Sequence, residues 1–295
     1  MGIANAIVIL LLCVAPCISF LLFKVDRKNW IAMVPSAAVA IALPTALKTF
    51  FDISDVTIKA IAIALIIALT IYNYFGVKKA SMLQNVSMVA KLIPIALIMF
   101  GALIFGKQSP DLSLVPADGS ALTFSSMIGM IAFATVATLW AYEGWTNLNT
   151  VAEEMKDPKK NLPLSLVIAI GSIMVLYTLF NFSIYRVIPH NEIVTMINDG
   201  NYYLGTEVAK RIFGNIGGTI VLVGMMISMF GCLNGMILTF PRSYYAMSVE
   251  GHFFKAIGKM HPKYKIPHVS LMVQCFIAIC LVLLRKLDQL TSMGH

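Results

Sequence analysis

The chain has 295 residues, of which 59% are hydrophobic and 12% are charged, whereas an ordinary soluble domain carries roughly 25% charged residues. A soluble fold must present a polar surface to water, so this composition excludes a single water-soluble globular domain. The net charge of +8 does not indicate a nucleic-acid-binding protein, because the basic residues lie in short connectors between apolar runs. There they meet lipid headgroups. Composition therefore predicts a chain that contacts a lipid bilayer and binds no nucleic acid.

Eight apolar runs are long enough to cross a membrane, for which a helix needs about 20 mostly apolar residues. In chain order these runs are 3–23, 29–50, 60–77, 86–106, 121–149, 162–185, 212–241 and 266–284. No basic residue precedes Lys24, which favours a spanning first helix over a cleaved signal peptide. Pro44 and Pro94 lie inside the second and fourth runs and predict kinks there. The fold class is therefore all-α, a polytopic transmembrane helix bundle.

The basic residues are distributed unevenly between the two alternating sets of connectors. One set carries 14 Lys and Arg residues and the other carries 8, which together account for all 22. The positive-inside rule places the richer set in the cytoplasm. The chain before the first run then lies outside the cell, and we expect further sequence upstream of it.

The fifth run contains a carboxylate, Glu143, followed directly by Gly144. A charged side chain inside a span costs about 2.5–3.5 kcal/mol, so it normally faces a cavity or a partner. Glycine weakens a helix, and the next residues are polar: Thr146, Asn147, Asn149 and Thr150. This pattern favours an interrupted helix whose exposed backbone groups bind a substrate. The alternative is that Glu143 marks the helix end at the interface and that 147–161 is an ordinary loop.

The seventh run contains two pairs of glycines spaced four residues apart, Gly214 with Gly218 and Gly231 with Gly235. Small residues at this spacing let two helices approach closely in a membrane. Asn234 lies inside the second pair. It either packs between helices or contacts a substrate, and the sequence leaves both interpretations open.

Signatures of enzymes, metal sites and cofactor sites are missing from the sequence. The five cysteines form no CxxC pair and have no zinc-ligand spacing with a histidine. There is no phosphate-binding loop, no HExxH and no GxSxG. The connectors are too short to hold a nucleotide-binding domain. The sequence predicts a protein that is not an enzyme, holds no cofactor or metal, and performs any transport passively, by exchange or with an ion gradient.

Three stretches of the sequence resemble the amino acid–polyamine–organocation permeases, and they occur in that superfamily's order. The first, from Trp140 to Pro163, resembles the sixth transmembrane helix and the following loop. The second, 241–251 with 261–267, is similar to the loop between helices eight and nine. The third, 73–78 leading to 91–94, looks like helices four and five. The subgroup most resembled is that of the L-amino-acid transporters, which includes bacterial serine/threonine exchangers.

The resemblance implies part of a five-plus-five inverted-repeat fold within a single transmembrane domain over 1–295. Residues 29–292 would correspond to helices three to nine and the lead into helix ten. The span at 3–23 is unmatched, and helices one and ten to twelve have no counterpart, so we expect a chain truncated at both ends. Partners implied by this gap are a second copy of the chain in a homo-oligomer, or separate complementary helices.

The resemblance also implies where an L-amino-acid substrate would bind. Helix six of these permeases is unwound at mid-membrane, and the substrate's amino and carboxyl groups bind its exposed backbone. The substrate-binding residues carried over are Trp140, Ala141, Tyr142, Glu143, Gly144, Trp145 and Thr146, together with Asn234. Trp140 would close over the substrate, while Glu143 replaces a common glycine. The implied function is amino-acid transport across the cell membrane by alternating access; the alternative is a non-transporting fragment or a structural partner subunit.

Overall fold

The computed structural model describes residues 34–49, 51–109, 144–199 and 203–284, and six single helical positions between 125 and 135. The predictions for the first run, 3–23, lie outside the described residues. The described helices are α1 Val34–Ala46, α2 Asp55–Tyr74, α3 Val77–Phe105, α4 Pro158–Tyr185, α5 His190–Asn198, α6 Leu204–Phe213, α7 Asn215–Val249 and α8 His268–Leu284. Two 3-10 helices, Leu47–Thr49 and Trp145–Glu154, complete the described regular structure. The predicted all-helical bundle is confirmed.

Four of the described helices, α2, α3, α4 and α7, are long and apolar enough to cross a membrane. Helices α1 and α8 are shorter and also apolar. Each of the six coincides with a predicted run. Pro44, Pro94, Pro163 and Pro241 all lie inside continuous helices, an arrangement that neighbouring helices and local adjustments make tolerable in membranes.

The helix bounds differ from the apolar runs where polar residues extend a helix. Helix α3 begins at Val77 instead of 86, and α7 continues to Val249 instead of 241. Helices α5 and α6 had no counterpart among the predictions. Both are short and amphipathic, and a search for long apolar runs does not detect such helices.

The connector around Gly76 separates α2 from α3. Helix α2 starts at a Ser54 cap, whose hydroxyl accepts the Thr57 N–H at 3.3 Å; such caps satisfy otherwise unpaired donors of the first turn. The helix ends before Gly76, which has φ +110°, a left-handed conformation that glycine adopts without steric cost. Helix α3 then begins at the next residue.

The described parts of Met1–Pro94 and Leu222–His295 belong to one compact unit. Helix α2 packs against α1 and α8, which also pack against each other. Ala37, Ala40 and Ala62 are fully buried in this core. Their small side chains let the helix backbones approach closely. Larger core side chains include Ile41, Ile66, Leu233, Leu271 and Leu281.

The described parts of Ile95–Val221 form the second compact unit. Its core joins the end of α3, the end of α4, and helices α5 and α6, through Ile98, Ala102, Ile184, Ile188, Ile193 and Val208. On the surface, Arg211 bonds Glu192 and, at 3.1 Å, Glu207. The hydrogen bond from Arg211 lowers the pKa of Glu192, and the same bond raises the pKa of Arg211. This pairing connects α5 to α6.

Glycines of α7 lie against α3, as the second predicted pair requires. A Cβ added to Gly231 would stand 3.0 Å from the Cβ of Ser87, and one added to Gly235 would stand 3.4 Å from the amide nitrogen of Gln84. Gly224, which the spacing argument missed, is closer still: its Cβ would lie 2.7 Å from Pro94 Cγ. The second pair therefore marks a helix contact.

The first pair of glycines differs from the second in what its members meet among the described residues. Gly214 follows α6 with φ +63°, and a Cβ there would meet no described atom within 4 Å. A Cβ at Gly218 would stand 3.4 Å from Cε of Lys210, a residue of α6. A tighter approach falls on Gly217, where a Cβ would overlap the Ala209 carbonyl. The packing interpretation of the first pair stays a prediction.

Candidate functional site

Gly144 lies at the place where the fifth run predicts an interrupted helix. Its φ of +101° and ψ of −12° are left-handed, so a regular right-handed helix cannot continue through this residue. Glycine takes this conformation without steric cost. The backbone conformation therefore favours glycine at this position.

The segment after Gly144 is a 3-10 helix of ten residues, Trp145–Glu154. Such helices rarely exceed 3–4 residues, and longer stretches often mark a hinge. The Asn147 N–H donates to the Gly144 carbonyl at 3.1 Å, and the Thr150 hydroxyl donates to the Asn147 carbonyl at 2.8 Å. Both bonds span three residues and fit the tighter helix.

The chain leaves the 3-10 helix at Met155, which is extended, and reaches α4 through Asp157, which has φ +47°. Pro158 then starts α4, a position where its missing N–H costs nothing. Residues 147–161 are thus mostly helical and not an ordinary loop. Within 144–161 the backbone takes a left-handed conformation at two residues, Gly144 and Asp157.

Four predicted site residues lie outside the described part of the chain: Trp140, Ala141, Tyr142 and Glu143. Trp145 and Thr146 are described in their backbone conformation only, as the first residues of the 3-10 helix. Substrate binding by these residues stays a prediction. Asn234 belongs to the other compact unit and is described by itself.

Asn234 is completely buried, and its amide is paired on both sides. Its oxygen accepts from Asn73 Nδ2 at 3.0 Å, and its nitrogen donates to Gln84 Oε1 at 2.9 Å. A longer bond of 3.4 Å reaches the Ala80 carbonyl. This amide cluster, formed by Asn73, Gln84 and Asn234, connects α2, α3 and α7.

Sequence reasoning missed Asn73 and Gln84. Asn73 is 4% exposed, and its amide nitrogen also donates to the Leu69 carbonyl at 2.8 Å. Its oxygen has no hydrogen-bond partner among the described residues. Asn73 and Arg242 both line a cavity of about 10 Å³, space for about one water molecule. At Asn73 the available signal was a polar amide inside the apolar run 60–77. Gln84 lies before the apolar run 86–106, so the sequence offered no comparable signal there.

The amide cluster can hold three helices together, but it has no charge and no acid or base. Buried polar side chains are costly in lipid unless they bond to one another. Their mutual pairing therefore favours the packing interpretation of Asn234 over direct contact with a substrate in this conformation.

Comparison with known proteins identifies the family. The model of the amino acid permease family matches residues 28–294. The chain belongs to this family. The match begins after the first apolar run, and together with the apolar helices it makes the chain a multi-pass membrane protein.

This permease-family chain resembles several transporters. It is 31% identical to the serine/threonine exchanger SteT of Bacillus subtilis over 80% of this chain and 52% of that protein. It is 28% identical to the mouse b(0,+)-type amino acid transporter 1 over 80% of this chain and 47% of the relative. It is 26% identical to the human Asc-type amino acid transporter 1 over 74% of this chain and 40% of that protein. The chain spans about half the length of the curated relatives it matches.

Proposed function

We propose that this chain takes part in secondary transport of L-amino acids across the cell membrane by alternating access, as a permease or exchanger. The observation that carries the proposal is the family match over 28–294. The relatives' names support it, since they describe a serine/threonine exchanger and amino acid transporters. Enzymatic activity forms no part of this proposal.

We further propose that the substrate's amino and carboxyl groups bind backbone groups around Gly144. The left-handed conformation of Gly144 supports this placement, because the family resemblance implies a substrate site at an unwound stretch of this helix. The residues proposed to line the site are Trp140, Ala141, Tyr142, Glu143, Trp145 and Thr146. A long 3-10 helix beside the site is also suited to changing its winding during an alternating-access cycle.

Counterflow in proteoliposomes tests the proposal. Liposomes that carry the purified chain are loaded with excess unlabelled neutral L-amino acids and supplied outside with a labelled mixture. We expect uptake above that of empty liposomes. The Gly144→Val variant is expected to lose it, because a β-branched residue at positive φ is strained by about 1–3 kcal/mol and would rewind the interruption.

Gly251→Val is the matched control. Gly251 also has a positive φ, +81°, and a Cβ there likewise meets nothing within 4 Å, so the two substitutions impose a similar backbone strain. Loss of counterflow in Gly144→Val alone supports the site. Equal loss in both variants, or retained binding in Gly144→Val, would remove the site assignment. No uptake by the folded, inserted wild-type chain would favour the non-transporting fragment or partner subunit.

A further inference from the structure

A partly exposed aromatic cluster lies where the α2–α3 connector meets the segment before α8. Tyr74 and Phe75 each make an edge-to-face contact with Tyr264, with ring centroids 5.9 and 5.8 Å apart. His261 joins the cluster, 5.3 Å from Tyr74 and 4.9 Å from Tyr264. Edge-to-face contacts of this kind are favourable for aromatic rings. The two connectors are therefore held together at this point.

The segment that carries Tyr264 is closed by its own hydrogen bonds. The imidazole Nδ1 of His261 accepts the N–H groups of Lys263 and Tyr264 at 3.2 and 3.1 Å. The His261 N–H donates to the Ile266 carbonyl at 2.8 Å, and the Lys265 N–H donates to the His261 carbonyl at 3.0 Å. These bonds restrict the turn and position Lys263 and Tyr264 before any ligand arrives.

Two lysines place their ammonium groups over rings of this cluster. Lys79 Nζ lies 5.2 Å from the centroid of Phe75, and Lys263 Nζ lies 5.5 Å from that of Tyr264. Both lysines are exposed, and neither forms a salt bridge within the part of the chain that the structure describes. Because the two rings are in contact, both positive charges belong to one surface.

The surroundings of this surface are basic and partly apolar. The connector 250–267 contains Lys255, Lys259, Lys263 and Lys265 but a single acidic residue, Glu250. Large apolar side chains are nevertheless exposed beside the lysines: Phe75 is 44% exposed, Phe254 38% and Met260 42%. Exposed aromatic and apolar groups among lysines, at the ends of spanning helices, are typical of the membrane interface.

We propose that Lys79 and Lys263, with the rings of Phe75 and Tyr264, bind the phosphate headgroup of an anionic glycerophospholipid. Two ammonium groups that have no carboxylate partner among the described residues suit the phosphate. The exposed ring of Phe75 and the half-buried ring of Tyr264 suit the upper acyl chain of the same molecule. A free anion would use the charges but not the apolar groups, which is why the lipid is the better occupant. The site does not depend on whether the chain transports amino acids.

Titration of the purified full-length chain in neutral detergent tests the proposal, with the apparent melting temperature as the readout. The three titrants are phosphatidylglycerol, phosphatidylcholine and inorganic phosphate. We expect phosphatidylglycerol to raise the melting temperature at concentrations where the other two have no effect. The Lys79→Gln/Lys263→Gln variant should need roughly 25-fold more phosphatidylglycerol, because each basic residue near a membrane surface adds about fivefold.

Two further variants separate the site from general surface charge. Lys159→Gln/Lys160→Gln removes the same charge from the first turn of α4, directly after Asp157, and it should respond like the wild type. Lys79→Arg/Lys263→Arg keeps the charge and should retain the effect. An equal response to phosphatidylcholine, an equal loss in both Gln variants, or full replacement of the lipid by inorganic phosphate would each overturn the proposal.

Discussion

Removing the buried amide of Asn234 should destabilise the described bundle measurably. The Asn234→Ala substitution deletes two hydrogen bonds between side chains of different helices, at 3.0 and 2.9 Å. Such bonds contribute about 0.6 kcal/mol on average in membranes, with a maximum near 1.7. The space left by the amide adds a cavity term of about 1 kcal/mol. The expected loss is about 2–3 kcal/mol.

The assay heats the full-length chain in detergent to a series of temperatures. Size-exclusion chromatography then measures the fraction of protein that remains folded at each temperature. About 2–4 °C per kcal/mol is expected for a chain of this size class, so the melting temperature should fall by roughly 4–12 °C. Asn234→Leu refills most of the volume and should recover the cavity term only. Comparing the two substitutions therefore separates hydrogen bonding from packing.

Asn181→Ala is the matched control for this prediction. Asn181 also lies in a spanning helix, and its amide donates at 2.9 Å to the Tyr177 carbonyl of the same helix, but its side chain is exposed. Its loss should change the melting temperature little. A melting temperature for Asn234→Ala that equals the wild type, or equals Asn181→Ala, would refute the argument that the amide cluster joins three helices.

Two other substitutions test the packing of α7 and the connection of α5 to α6. Gly224→Ala should lower the free energy of unfolding by about 1–3 kcal/mol, because its Cβ would lie 2.7 Å from Pro94 Cγ. Gly171→Ala should not lower it, since its Cβ would meet no described atom within 4 Å. Equal melting temperatures of the two variants would contradict this prediction. Arg211 lowers the pKa of Glu192, so their pairing stabilises α5 above the usual glutamate pKa and is lost as pH falls through the lowered value. Hydrogen-exchange protection in α5, corrected for the pH dependence of the intrinsic exchange rate, should therefore fall in acid. Arg211→Met should remove this loss of protection, and an unchanged profile would argue against the pairing.

Features that depend on one stretch of chain were accessible from the sequence. The length of an apolar run decides whether it can cross a bilayer, and for this reason α2, α3, α4 and α7 coincide with predicted spans. The interruption at Gly144 is equally local, since it depends on the ability of one glycine to take a left-handed conformation. The polar residues that follow it provided the signal.

Contacts between helices were decided by the tertiary structure. Asn73, Gln84 and Asn234 meet although 150 residues separate the last two in the chain. Likewise, a Cβ at Gly224 would lie 2.7 Å from Pro94 Cγ, and the overlap with the Ala209 carbonyl falls on Gly217 and not on Gly214 or Gly218. Every side of a helix faces either a neighbouring helix or lipid. The sequence of one helix does not determine how that helix is rotated about its axis relative to the next one. That rotation comes from packing the whole bundle, and it determines which small or polar residues face one another.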